Sequence, residues 1–275
     1  MIELAVDLLE VTSLGAINIL WLFLGFCISF LSGSIPFSVW IGKILKGKDP
    51  RKYNIGNPGG FNSFITFGPA VGFTIIYLDF LKGTFAIALL DQIFRLNYFI
   101  APDGSNIWHT LACIFGPMFC VLGHNYSPWL NFQGGRGIGV FIGTLFYVNP
   151  IIFVIFFFVS FYLLIGIIKF SPRIANIFAF LVYFPATLFL PLAPPWNYVW
   201  KDWVIGAKGF LYLTPALMTL AIWIAWIPSH WSSLLYFIKG EKEWTFSMTE
   251  GQKLEGDFGT VKDQTFADSP GEEET

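Results

Sequence analysis

Long apolar runs separated by short polar connections rich in glycine dominate the chain, and their lengths predict helices that cross a bilayer. A hydrocarbon core about 30 Å thick needs roughly 20 apolar residues of helix to span it, and Trp21 to Pro36, Ile151 to Ile168 and Phe210 to Ile227 approach that length without a charge. The whole pattern predicts spans near residues 15–43, 64–90, 107–123, 137–148, 151–168, 175–193 and 209–230. The fourth is too short for a perpendicular crossing by itself. Asn149-Pro150 divides it from the fifth, so these two predict a tight hairpin. The fold class is therefore all-α: a polytopic membrane protein of about seven transmembrane helices.

Positive residues orient the spans. Lys43, Lys46, Lys48, Arg51 and Lys52 follow the first, Arg136 precedes the fourth, Lys169 and Arg173 follow the fifth, and Lys239 and Lys242 follow the seventh. Seven crossings put all of these on one side, which the positive-inside bias makes cytoplasmic, with the acidic N-terminus outside. Trp196, Tyr198, Trp200 and Trp203 then predict an aromatic belt at the outer interface.

Composition agrees with the pattern: 55% of the 275 residues are hydrophobic and 12% charged, against roughly 25% charged in soluble domains. The net charge of −2 conceals two parts, because residues 241–275 hold 10 of the 18 acids and 3 of the 16 Lys and Arg. Residues 1–240 form a basic transmembrane domain, and 241–275 an acidic, disordered cytoplasmic tail. The N-terminus, with Glu3, Asp7 and Glu10, does not resemble a cleaved signal peptide. Cys27, Cys113 and Cys120 lie in apolar stretches without metal-ligand spacing and read as packing residues, so neither metal nor cofactor is expected.

Five places carry candidate chemistry. Gly33-Ser-Ile-Pro36 puts a proline inside span one, where irregular backbone survives only against protein or a wet cavity. Ser34 either bonds back to a carbonyl at a simple kink or faces that cavity. The connection from Asp49 to Asn62 joins Arg51 and Lys52 to Gly56, Asn57 and Gly59, a composition that binds anions through converging amides and a guanidinium fork. Positive-inside topology alone also explains its bases. Gly123 to Gly137 runs through Gly134, Gly135 and Arg136 into a helix start, where free N–H groups and the helix dipole attract phosphate. Asp79 and Lys82, spaced i, i+3 within span two, share one helix face and lower each other's cost in lipid. His230 follows the last predicted span and precedes an amphipathic piece ending at Gly240.

In order and spacing these segments resemble the acyl-phosphate:glycerol-3-phosphate acyltransferase family, the bacterial PlsY type. The matching segments are Gly33-Ser-Ile-Pro-Phe37, Asp49-Pro-Arg-Lys52 through Asn57 to Asn62, Asp79-Phe-Leu-Lys-Gly83, Gly123-His-Asn-Tyr126, Phe132-Gln-Gly-Gly-Arg-Gly137, and His230 with Gly240. The resemblance implies seven helices, an outside N-terminus, and a cytoplasmic-facing site in the cell membrane. It implies transfer of an acyl group from acyl phosphate to the 1-hydroxyl of glycerol 3-phosphate, giving lysophosphatidic acid without metal or coenzyme. The expected partners are those substrates and membrane lipids, with no nucleic acid and an unknown partner for the tail. As an enzyme, the chain would use Arg51, Lys52, Gly56, Asn57, Gly59, Asn62, Gly134, Gly135, Arg136 and Gly137 for phosphate. Ser34 and His124 would position the acceptor hydroxyl and acyl phosphate, Asp79 and Lys82 would brace the site, and His230 would contribute from the last helix.

The chain departs from the pattern at Gln133, where the family has lysine, at Arg136 for a second lysine, at Ile65 for arginine, and at Ser233 for the late asparagine. Such changes imply another acceptor, another donor, or lost activity. Two other readings stay open: a non-catalytic membrane protein binding a lipid phosphate or a partner, and a transporter, for which Asp79 and Lys82 are suited although no inverted repeat is visible.

Overall fold

Proline and glycine end the helices where the polar connections begin. The computed structural model describes residues 2–94, 96–101, 106–168, 172–189 and 213–239. The first helix, α1 (Ile2–Ser34), stops just before Pro36, and α2 (Phe37–Lys46) resumes behind it. Proline lacks the N–H and clashes with the preceding turn, so a continuous helix cannot form there. α2 closes at Gly47, whose left-handed φ of 61° lets its N–H reach the Lys43 carbonyl at 3.1 Å. A 3₁₀ turn over Pro50–Lys52 leads to α3 (Gly60–Phe67) and α4 (Pro69–Phe94). The single span predicted over 64–90 is thus two helices. Gly68, at φ 89°, turns the chain, and Pro69 starts the next helix where its missing N–H costs nothing.

Asn106 caps α5 (Ile107–Asn125), its side chain accepting the His109 N–H at 2.9 Å. α6 (Ile138–Val148) is short, as predicted, and meets α7 (Pro150–Phe157) at Asn149, whose side chain caps α7. α7 continues as a π-helical stretch over Phe158–Ile167, a feature that apolar periodicity did not reveal. The described elements end with α8 (Pro172–Phe189) and α9 (Thr214–Ile238). The last helix runs well past the predicted end at residue 230, so His230 lies inside it rather than after it. Lys169, the aromatic run at Trp196, Tyr198, Trp200 and Trp203, Gly240 and the tail lie outside the described residues.

Small residues let backbones touch. Gly33 of α1 lies against the Cys120 carbonyl of α5, and Gly123 of α5 against the Phe30 carbonyl of α1. Gly83 of α4 and Gly143 of α6 make the same reciprocal contact with Val140 and Phe80. In lipid, where apolar side chains gain nothing by leaving solvent, such close approach supplies dispersion between helices. α4 sits at the centre, packed by α1, α3, α5 and α6, while α9 closes on α5 and α8. Phe141 anchors the interior, its ring 4.8 Å from Trp226, 5.4 Å from Phe156 and 5.5 Å from Tyr183.

The surface is apolar and the interior partly polar, the reverse of a soluble protein. Trp21, Phe23, Phe73, Tyr77, Phe157 and Tyr162 are exposed, whereas Ser34, Asp79, Lys82, Asp91 and His124 are buried. Among the described residues there is no strand, and four helical stretches are long and apolar enough to cross a bilayer: Gly15–Lys46, Pro69–Phe94, Ile107–Leu130 and Pro150–Ile167. The chain is a multi-pass membrane protein.

Candidate active site

The break at Pro36 builds the site. It deprives the Ser34 and Ile35 carbonyls of their usual helical donors, and side chains from elsewhere replace them. Ser127 donates to the Ser34 carbonyl at 2.6 Å, and the Lys82 ammonium donates to the Ile35 carbonyl. Irregular backbone at membrane depth is thereby satisfied. Beside it lies a small, partly open cavity whose lining includes Ser34, Pro58, Asp79, Lys82, His124 and Gly135.

Asp79 and Lys82 face each other across one turn of α4, Nζ to Oδ1 at 2.7 Å, with side chains 6% and 4% exposed. Lys82 also stands 4.8 Å from the centre of the Phe37 ring. Two charges this deep survive only as a hydrogen-bonded pair. His124, in the last turn of α5, brings Nδ1 to 3.8 Å from Asp79 Oδ1. The Gly135 backbone lies directly on the Nε2 edge of that imidazole, so no side chain fits there. Ser34 meets both sequence readings at once: its hydroxyl donates to the Leu31 carbonyl at 2.8 Å and also lines the cavity.

The phosphate candidates are arranged differently from the prediction. Several glycine amides expected to converge on an anion are committed within the fold. Gly134 N–H donates to the Asn125 carbonyl and Gly135 N–H to the His124 carbonyl, at 3.0 and 2.9 Å, capping α5. Gly56 N–H donates to the Tyr53 carbonyl, and Gly59 N–H to Asn57 Oδ1, both at 3.0 Å. Asn62, buried, holds the connection together: its amide donates to the Pro50 and Asn57 carbonyls at 2.7 Å and its oxygen accepts Ile55 N–H at 3.1 Å. Glycine-rich turns bend back on themselves when their own carbonyls are within reach, which composition alone does not reveal.

What these segments offer instead is a pair of helix starts. α3 begins after Gly59 and α6 after Gly137, the latter at φ 73°, and neither start has a side-chain cap. Gly60 packs on Ile76 and Gly139 on Asp79. Three residues of helix rise about 4.5 Å, so both starts dock on α4 within one turn of each other. Half-buried Arg136 immediately precedes the second.

Arg51 does not line the cavity. It grips Asp49 with two bonds, Nη2 to Oδ2 at 2.7 Å and Nε to Oδ1 at 3.1 Å. Burial pushes the Asp49 carboxyl up, but the hydrogen bonds and charge of Arg51, with the charge of Lys43, outweigh it and hold the group below its ordinary value. Lys52 is exposed. His230 also stays off the cavity wall: buried in α9, its Nδ1 lies 2.9 Å from Ser229 Oγ and 3.1 Å from the Trp226 carbonyl. Ser229 Oγ accepts from the Asn125 amide at 3.3 Å, so His230 backs the end of α5 at one remove.

Three contributors escaped the sequence reading. Ser127 ties the connection after α5 to the α1 break, and Ser38 donates to the Pro58 carbonyl at 2.6 Å, fastening α2 to the Asp49–Asn62 connection. Trp129 donates its indole N–H to Ser34 Oγ at 3.0 Å. Their signal was position alone, since Ser127 and Trp129 stand just beyond His124 in a segment already singled out.

A family model described as glycerol-3-phosphate acyltransferase matches residues 23–240. A glycerol-3-phosphate acyltransferase of Bacillus cereus is 40% identical over 142 residues, covering 52% of this chain and 65% of the relative. One of Latilactobacillus sakei is 38% identical over 130 residues, covering 47% and 57%. The chain thus spans less than two thirds of the length of these relatives. The fold is similar to that of the crystal structure of PlsY (YgiH), an integral membrane glycerol 3-phosphate acyltransferase, in its glycerol 3-phosphate form: TM-score 0.61 at 22% identity, covering 82% of this chain and 96% of that one. The lysophosphatidic acid form gives a TM-score of 0.60 at 21% identity. With the matched region reaching from α1 through α9 and enclosing every residue of the cavity wall, the chain belongs to the glycerol-3-phosphate acyltransferase family.

Proposed function

We infer that this chain transfers an acyl group from acyl phosphate to the 1-hydroxyl of glycerol 3-phosphate or a related phosphorylated acceptor, forming a lysophospholipid precursor for the membrane. The observation that carries the reading is the cavity beside two uncapped helix starts docked on one turn of α4. Anions bind at helix starts through free N–H groups and the dipole, and Arg136 adds a formal charge there. Arg51 and Lys52 raise the positive potential nearby, and Asn62 keeps their connection in shape.

In the reaction, the acceptor hydroxyl oxygen bonds to the acyl carbonyl carbon and the bond from that carbon to the phosphate oxygen breaks. The electron pair leaves with phosphate, which carries off the hydroxyl proton in the net balance. Acyl phosphate is already activated, so alignment supplies much of the rate. Ser34 and His124, both on the cavity wall, orient the hydroxyl and acyl phosphate. Asp79 and Lys82 brace the site, and His230 supports α5 from behind. Cationic groups and helix N–H dipoles stabilise charge as it moves to the leaving phosphate. The positive-inside bias supports a pocket toward the cytoplasm, with seven crossings and an outside N-terminus.

Supplying acyl phosphate and glycerol 3-phosphate to the purified chain is expected to yield lysophosphatidic acid above a no-protein control. Absence of product overturns the reading. Gln133, exposed where the family carries lysine, favours a second one, a lipid-phosphate binder without turnover. Phospholipid that copurifies stoichiometrically, with no consumption of any acyl phosphate, would select it.

A further inference from the structure

A second set of chemically capable side chains sits at the other end of α4, about 18 Å of helix away from Asp79. Asp91 stands in the last turn of α4, His109 in the first turn of α5, and Cys113 one turn further along the same face of α5. All three are buried, Asp91 and Cys113 completely. His109 Nε2 lies 2.8 Å from Asp91 Oδ1 and 3.5 Å from Cys113 Sγ, and the three ligand atoms fall within 4.8 Å of one another.

We propose that Asp91, His109 and Cys113 form a binding site for one divalent transition-metal ion of the zinc type, clasping α4 to α5. One oxygen, one imidazole nitrogen and one sulfur make a donor set that suits a borderline-soft ion such as Zn²⁺. The i, i+4 spacing of His109 and Cys113 puts both donors on one side of α5 with the carboxylate opposite. The donor set is also balanced in itself: a carboxylate, a thiolate and a neutral imidazole around a divalent ion sum to zero. Small rotamer shifts admit the ion, opening the Asp91–His109 contact and drawing Cys113 inward.

The surroundings are those of a held ligand set. Tyr147 of α6 donates its hydroxyl to Asp91 Oδ2 at 2.8 Å, and the Gln92 amide reaches the same oxygen at 3.2 Å, so the carboxylate is oriented from behind. Asn106 caps His109 N–H and donates to the Phe94 carbonyl at 2.7 Å, pinning the corner between the helices. His109 lies three residues into α5, with its side chain 8% exposed. Binding releases the thiol proton and needs neutral imidazole, so affinity rises with pH.

The test uses the full chain in detergent, stripped with chelator and titrated with Co²⁺ and then Zn²⁺. One equivalent of Co²⁺ is expected to give a thiolate-to-cobalt charge-transfer band that Zn²⁺ abolishes. Zn²⁺ is also expected to protect Cys113 from alkylation during partial unfolding, while half-buried Cys27 reacts equally with and without metal. Cys113→Ser should lose the band and weaken binding beyond the roughly 10–100-fold typical of losing an outer-shell partner. Absence of a thiolate band, equal alkylation of Cys113 with and without Zn²⁺, or undiminished binding by Cys113→Ser would each overturn the proposal. The first two readouts use the unsubstituted chain, so a variant that fails to fold leaves the test intact.

Discussion

The two ends of α4 each bury an acid against a base, yet their surroundings differ. At one end, the Asp79–Lys82 pair lines a small pocket beside a broken helix and two helix starts without side-chain caps. At the other, Asp91 and His109 are buried, with Tyr147 donating to the Asp91 carboxylate and Asn106 pinning the corner between α4 and α5. A buried charge pair is therefore not by itself the mark of a substrate site. What sets the first end apart is a pocket next to a broken helix and helix starts that lack side-chain caps.

The largest effect expected from disturbing this contrast comes from Lys82→Met, which strands Asp79 without its cation. Breaking one member of a buried pair costs about 3–5 kcal/mol, and denaturant unfolding in detergent should register it. Replacing Asp79 and Lys82 together by apolar residues should restore most of the stability while acyl transfer stays lost; recovery of both would dissolve the distinction between the two ends. Gly135→Ala comes next. The added methyl meets the His124 ring, and displacing a positioning group by an ångström costs about 10²-fold in rate, measured as lysophosphatidic acid formed per minute. Stability should change far less than activity.

At the far end, Tyr147→Phe removes the hydroxyl that Asp91 accepts. Stability is expected to fall by about 1–3 kcal/mol, the cost of leaving a buried acceptor short of a partner, with the rate of acyl transfer unaltered. A matching loss of rate would mean that the two ends communicate along α4. Smallest is Trp129→Phe, which keeps the ring beside Trp40 but deletes the N–H that Ser34 accepts. A hydrogen bond of about 0.5–1.5 kcal/mol predicts a decrease in kcat of no more than about tenfold, with KM steady. An unchanged kcat would remove Trp129 from the machinery.

Much of the site was legible before any fold was known, but unevenly. Ser34, Asp79, Lys82 and His124 announce themselves because proline, charge and histidine are expensive inside apolar runs, and all four line the cavity. Gly134 and Gly135 show a use that composition does not reveal: the same lack of a side chain that suits glycine to an anion cradle also suits it to capping α5 against the His124 ring. Arg51 read as a phosphate fork because its partner, Asp49, is two residues away and looked like one more loop residue. The Asp91–His109–Cys113 cluster went unseen because its members come from two helices and only their packing brings them together.

The sequence by itself determined that this chain lives in a membrane, where most of its helices start and stop, though not the start of α1 at Ile2 or the end of α9 at Ile238, and which family it resembles, because hydrophobic length, proline and glycine act locally along the chain. Only the tertiary structure decided which polar groups meet. It split the span at Gly68, drew His230 into a helix behind α5, spent the glycine amides on neighbouring carbonyls, and set two helix starts on one turn of α4. The physical reason is that a buried polar group must find a partner, and partners in a helical membrane protein come from whichever helix the small residues allow to approach.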